Sequence, residues 1–218
     1  MSIALSIGNN LTTGGVFTAS AVNNTSVTNV TDFASVPGSG VLKLLSTQTA
    51  SASASISFTS DIDSTYDSYV FKFIDIHPQN SGVNLEFNFS TDGGSNYNVT
   101  KTTTFFTSAH SEDDTSEAQL EYRAAQDLAQ STSFQPIIWN IANNNDDCNV
   151  GTLQIFNPSS TTFVKHFIAT TNISSASATT KNHYVAGYGN TTNSVDAVRF
   201  QMSSGNIDDG IIKMYGVK

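Results

Sequence analysis

Four histidines, one cysteine and, among the closely spaced aspartates, the pairs Asp61/Asp63, Asp146/Asp147 and Asp208/Asp209 are the residues of this 218-residue chain that could be offered for chemistry. His77, His110, His166 and His183 show no i,i+4 pairing and no neighbouring cysteine. A zinc centre needs three or four converging nitrogen and sulfur ligands, and that spacing does not announce one. Asp61 with Asp63, Asp146 with Asp147 and Asp208 with Asp209 could act as paired acids or calcium ligands. Glycosidase acids, however, pair in space rather than in adjacent positions, and no EF-hand loop is matched. Aspartates beside glycine or asparagine are turn formers first. Cys148 stands alone in Asn143-Asn144-Asn145-Asp146-Asp147-Cys148-Asn149, where carboxylates hold a thiol protonated and unreactive. It is expected as a small, half-buried filler at a strand start. No nucleophile elbow, phosphate loop or dinucleotide fingerprint is present. The expectation is therefore no catalytic residue, no metal and no cofactor.

Aromatic side chains offer the remaining surface chemistry. Trp139, Tyr184 and Tyr188 could stack on a sugar ring, although tyrosine in a strand more often packs with its hydroxyl at the surface. His183, Tyr184 and Tyr188 are the candidate ligand-binding residues. Asn-x-Ser/Thr triplets at Asn24, Asn29, Asn98, Asn172 and Asn190 follow from a composition rich in those residues. Without a signal peptide they are not expected to carry glycans.

The elements that must position these groups are strands. Leu85, Phe87 and Phe89 alternate with Asn84, Glu86, Asn88 and Ser90, the cleanest period-two run in the chain. Tyr69–Ile76 is nearly continuous in apolar residues, which predicts a strand covered on both faces. Ala52, Ala54, Ile56 and Phe58 alternate with serines as a half-buried strand. Val198, Phe200 and Met202, then Ile212 and Met214, flank a Gly/Asn connection and predict a terminal antiparallel hairpin. Shorter strands are expected from Ile137, and over Gly151–Phe156, Thr162–Ala169 and His183–Ala186. Ser111–Ser133 is the one helix-compatible stretch, with an acidic start and Leu120, Ala124 and Leu128 at helical spacing. A surface loop with a short helix suits it equally. Together these predict an all-β fold, an antiparallel β-sandwich or jelly roll over residues 51–218. Residues 1–50, with few apolar islands and a Pro37-Gly38-Ser39-Gly40 turn, read as an extended N-terminal arm or edge strands.

Charge narrows the partners. Only 12% of residues are charged, against roughly 25% in an average soluble domain. Serine, threonine and asparagine cover the surface instead, which suits packing against other subunits without burying unpaired charge. Net charge is −9, and the basic residues are scattered singly. Counterion release from nucleic acid needs a basic patch, so no nucleic acid is expected, and no anionic membrane surface either. The N-terminus lacks a signal peptide's basic start and apolar core, and no run approaches the roughly 20 apolar residues of a membrane helix.

Three segments carry a resemblance. They are Tyr66–Ile76 followed by His77-Pro78, then Leu85–Tyr97, and finally Gly151–Pro158 together with the closing Ser204–Gly216. Over roughly residues 55–218 the chain resembles β-sandwich virion proteins of tailed phages, including those of marine and cyanobacterial hosts. The resemblance implies a non-enzymatic fibre, tail or capsid-surface component located in the virion. It also implies a homo-oligomer, a trimer by likeness to fibres, whose arm meets other virion proteins. A glycan-binding adhesin that recognises the host surface is the alternative, and a polysaccharide depolymerase the third reading.

Overall fold

A computed structural model describes residues 42–175 and 178–218. The chain divides into Met1–Gly38 and Ser39–Lys218, and every described residue belongs to the second unit. Among the described residues twelve strands follow one another: β1 (Lys43–Thr49), β2 (Ile56–Phe58), β3 (Ser68–Pro78), β4 (Val83–Ser90), β5 (Lys101–Ser111), β6 (Ala118–Tyr122), β7 (Gln135–Ile141), β8 (Asn149–Phe156), β9 (Lys165–Ser175), β10 (Thr179–Gly189), β11 (Ala197–Met202) and β12 (Ile207–Val217). They form an eight-stranded sheet, β1-β12-β3-β8-β9-β10-β5-β6, and a four-stranded sheet, β2-β11-β4-β7. Every strand pair is antiparallel. The result is the expected β-sandwich.

Period-two alternation builds the interior. Phe71 and Phe73 of β3 and Phe167 of β9 face Phe87 and Phe89 of β4, Phe58 of β2 and Phe200 of β11, all of them buried. Phe200 is the hub, with ring centroids 5.3 Å from Phe71, 5.2 Å from Phe73, 6.2 Å from Phe58 and 6.4 Å from Phe87. Phe87 in turn meets Phe167 edge-on at 4.9 Å. Edge-to-face pairs of this kind add about 0.5–1.5 kcal/mol each beyond the area they bury.

Several expectations change. The last two strands are not a hairpin: β11 belongs to the small sheet and β12 to the large one. Both alternations are real, but Phe200 and Met214 reach one core from opposite sides, which a hairpin within a single sheet could not achieve. The connection crosses between the sheets through Gly205, whose φ is +73° and therefore suits glycine. The helix-compatible stretch forms β6 and irregular backbone, and no helix occurs among the described residues. Its acidic start serves a turn instead: Asp113 Oδ1 accepts from the Thr115 and Ser116 amides at 2.9 and 2.8 Å. Leu120 of the supposed apolar stripe is exposed, so a helix there would have had no core to face.

The run Tyr69–Ile76 is covered on one face only. Tyr69, Phe71 and Phe73 point inward, while Val70, Lys72 and Ile74 are half-buried on the outer face. At Asp75, whose φ is +52°, the register with β8 shifts, and this bulge returns Ile76 to the core. Of the serine-alternating segment only Ile56–Phe58 is a strand, and Ser53 makes an isolated bridge to Ile207. Most of the 1–50 arm lies outside the described residues. Its last part, read as extended arm or edge strand, is β1, the edge strand of the large sheet, which pairs along β12. Leu45 there packs against the core and Ala50 is buried.

Phe87→Ala should lower the unfolding free energy by about 3–5 kcal/mol, because it opens a cavity between the two sheets. A chemical denaturation midpoint shift much smaller than this would show that the inter-sheet aromatic contacts are not the core.

Candidate functional site

β10 decides where the three candidate residues point, because successive side chains of a strand leave opposite faces. His183 faces the interior and is fully buried. Tyr184 and Tyr188 face outward, so the three do not form one patch. Tyr184 stacks on Phe106 of β5, with ring centroids 4.9 Å apart and an interplanar angle of 14°. Register extends this pair to Tyr122 of β6, the cross-strand partner of Phe106. Ile168 of β9 lies opposite Ala186. Phe106, Ile168, Thr170, Tyr184 and Ala186 line a shallow apolar groove on this outer face. Tyr188 tilts against His166 of β9 at 5.9 Å.

The inner face of the same strands is polar. One cross-strand row runs Thr171, His183, Thr107, Glu121, and the adjacent row places Arg123 just beyond Phe105. The Arg123 guanidinium lies 4.4 Å from the ring centre of Trp139 on β7, and the Lys181 ammonium lies 5.8 Å from it. Arg123 Nη2 pairs with Glu121 Oε2 at 2.8 Å, and Lys181 Nζ with Glu117 Oε2 at 3.3 Å. Thr171 donates its hydroxyl to the Ile137 carbonyl at 2.7 Å. Burial, reinforced by the Lys181 and Arg123 charges, pushes the His183 imidazole down to about 3. It is neutral in the folded protein.

Two further lysines are buried and act as clamps. Lys165 Nζ donates to the carbonyls of Ser160, Phe163 and Thr191 at 2.6, 2.7 and 3.2 Å, which uses all three ammonium protons. Lys101 Nζ donates to Asn88 Oδ1 at 2.5 Å and to the Val99 carbonyl at 2.8 Å. Asn88 also holds the carbonyls of Tyr97 and Thr132. These cations were not singled out as functional in the sequence. The signal was present in the inward phase of each strand, where Lys101-Thr103-Phe105-Thr107 and Lys165-Phe167-Ala169-Thr171 mix polar and apolar residues.

Two of the three aspartate pairs do meet. Asp146, Asp147, Asp208 and Asp209 line one pocket with Asp75 and His77. Asp147 accepts from Asn144 Nδ2 at 2.6 Å and Ser174 Oγ at 2.5 Å, and His77 Nε2 contacts the Asn144 carbonyl. Among the described residues no group of three His, Cys, Asp or Glu could hold a metal ion. Asp63 belongs to a separate turn, accepting from the Thr65 amide at 2.7 Å. Cys148 as a residue is exposed rather than half-buried, although its thiol is turned towards the protein, where desolvation and then the Asp75 and Asp147 carboxylates push it up. His110 pairs with Asp114 at the surface. No helix among the described residues is long and apolar enough to cross a membrane.

No protein-family model matches this chain, and neither a curated protein nor a solved structure matches it significantly.

The buried histidine sets a pH dependence. Its folded pKa lies below the ordinary 6.5, so the unfolded chain takes up the proton first. Stability is fully present above about pH 6.5 and falls as pH drops towards 3, with a slope of at most about 1.4 kcal/mol per pH unit from this group. His183→Gln should flatten that limb in urea midpoints measured between pH 7 and 4. An unchanged slope in the variant would show that His183 protonates freely in the fold.

Proposed function

We propose that this protein is a non-enzymatic structural component of a virion, a fibre, tail or capsid-surface element that assembles with copies of itself. The observation that carries the reading is the outer face of the eight-stranded sheet at its β6 end. Leu120, Tyr122, Phe106, Tyr184 and Ile168 are exposed by 72%, 53%, 38%, 36% and 54%, and cross-strand register sets the three aromatic residues side by side. Contiguous apolar surface on a protein so poor in charge favours packing against another protein surface. Hydroxyl and amide side chains around it can approach a neighbour closely without desolvating ions, which costs several kcal/mol each. The virion setting comes from the resemblance of the three segments, as do the trimer count and an attachment of the N-terminal arm to other virion proteins.

One observation favours the adhesin as a second reading. The stacked Phe106–Tyr184 pair beside Thr170 offers an aromatic platform with polar neighbours, the kind of surface on which a sugar ring of a host glycan packs. Both readings can hold together, since a virion protein can also bind the host.

Sedimentation at micromolar concentration should give an oligomer, and Tyr184→Lys should reduce it to monomer while circular dichroism stays unchanged. Mass spectrometry of purified particles should find the protein in them. A monomeric wild-type chain absent from particles would overturn the proposal. A glycan array that binds the wild type and not Tyr184→Lys would establish the second reading.

A further inference from the structure

We infer that the polar row beneath β6 holds one internal water molecule, bonded to His183 Nε2, Thr107 Oγ1 and Arg123 Nε. All three atoms are buried and have no partner within the protein. His183 and Thr107 are themselves 0% and 1% exposed. They are direct cross-strand neighbours on the inner face, and Thr107 has Glu121 as its partner on the other side. Arg123 lies two residues beyond Glu121 in the same inward phase, and its ion pair with Glu121 uses Nη2 and leaves Nε free. The three orphaned groups therefore lie on neighbouring inward positions of β10, β5 and the segment just after β6, and Arg123 is near enough to His183 for its charge to act on the imidazole. Buried polar groups in folded proteins are satisfied by protein or by ordered water, and internal waters typically make about three such bonds.

The chemistry of the three groups matches water. Thr171 donates its only hydroxyl proton to the Ile137 carbonyl, so its 3.5 Å contact with His183 Nδ1 is bonding only when Nδ1 carries the proton. Nε2 of the neutral imidazole is then a bare acceptor. Arg123 Nε–H is a donor, and the Thr107 hydroxyl can donate as well. A water accepts from Arg123 and Thr107 and donates to His183, closing all three valences. An anion would face the Nε2 lone pair, and a cation would face the Arg123 and Lys181 charges. Water alone suits both sides of the site. Its consequence is mechanical: the segment after β6 is tied to β10 through a bridge as well as through its own backbone bonds to β5.

A high-resolution crystal structure of the full chain should show a density peak within about 2.7–3.2 Å of all three atoms. Nitrogen-15 spectra at pH 7 should show His183 as the neutral Nδ1–H tautomer. Oxygen-17 relaxation dispersion should count one fewer long-lived water in Thr107→Val than in the wild type. The inference falls if the three atoms pair with protein groups and no peak lies among them. An Nε2–H tautomer, or an unchanged count of long-lived waters in a folded Thr107→Val, would also sink it. Should that variant not fold, the wild-type map and spectra still decide.

Discussion

An eight-stranded sheet cannot be covered by four strands. Strands lie about 4.8 Å apart, so the small sheet shields roughly half the width of the large one, and each half of the inner face needs its own solution. Where β11 lies opposite β3 and β4 opposite β9, the solution is hydrophobic, with Phe200 gathering phenylalanines from both sheets and Phe167 meeting Phe87 and Phe89. Beyond β7 no further strand of the small sheet exists among the described residues. There the chain after β6 folds along β5, with Arg123 N bonded to the Phe105 carbonyl, Thr103 N to the Leu128 carbonyl, and Lys101 and Ser131 bonded to each other. A connecting segment brings backbone polar groups with it, and these must be paired. That flank is accordingly lined with threonine, glutamine, lysine and histidine. Thr103 Oγ1 reaches both Gln135 Oε1 and the Leu128 amide.

The opposite flank meets the same constraint differently. β1 and β12 extend past the small sheet, and the chain between β1 and β3 closes over them. Ala50 and Ile62 are buried there, and Tyr66 lies flat against Gly216, where a methyl group would stand 2.5 Å from the ring. Glycine at this point admits the aromatic cover. Both flanks thus depend on chain that is neither strand nor helix, which is why the lysine clamps matter. Lys165 gathers three loop carbonyls under one ammonium, and Lys101 with Asn88 joins the Tyr97 and Thr132 carbonyls. Such clamps hold through donor geometry rather than through exposed ion pairs, so salt weakens them little.

The sandwich was legible in the sequence because its driving term is local. Leu85, Phe87 and Phe89 alternate without interruption, and alternation alone places them inside. Pairing was not legible, because the same alternation in Phe200 and Met214 is satisfied by one sheet or by two. Only the width of the large sheet decides between them. The helix reading of Ser111–Ser133 failed for a related reason. Leu120, Ala124 and Leu128 have helical spacing, but β5 offers the segment a free edge, and its polar cover leaves no apolar surface for a helix to bury. The bulge at Asp75 was invisible, since an aspartate between two isoleucines carries no mark of a left-handed backbone. At the candidate site Tyr184 and Tyr188 lie on the outer face, whereas His183 required the phase of β10. Counting from Val185, a residue that needs the core, would have placed it inside.

That phase also separates the two chemistries of β10. A strand exposes every second side chain to a different environment, so Tyr184 and His183 are adjacent in sequence yet belong to different problems. The interior row is constrained: His183 is fully buried and touches Thr171, burial and then the nearby Lys181 and Arg123 charges keep it neutral, and a change there disturbs the cover of the flank. The outer row rests on the sheet without supporting it. Phe106, Tyr184 and Ile168 can be exchanged for other residues with little consequence for the core, because the backbone ladder between β5, β10 and β9 continues unbroken over eleven residue pairs on each side. A broad sheet whose inner face is committed to the core and to its polar cover leaves the side chains of its outer face without a part in that packing. The alternation of β10 therefore separates the side chains that hold the interior from those that do not, only one residue apart along the chain.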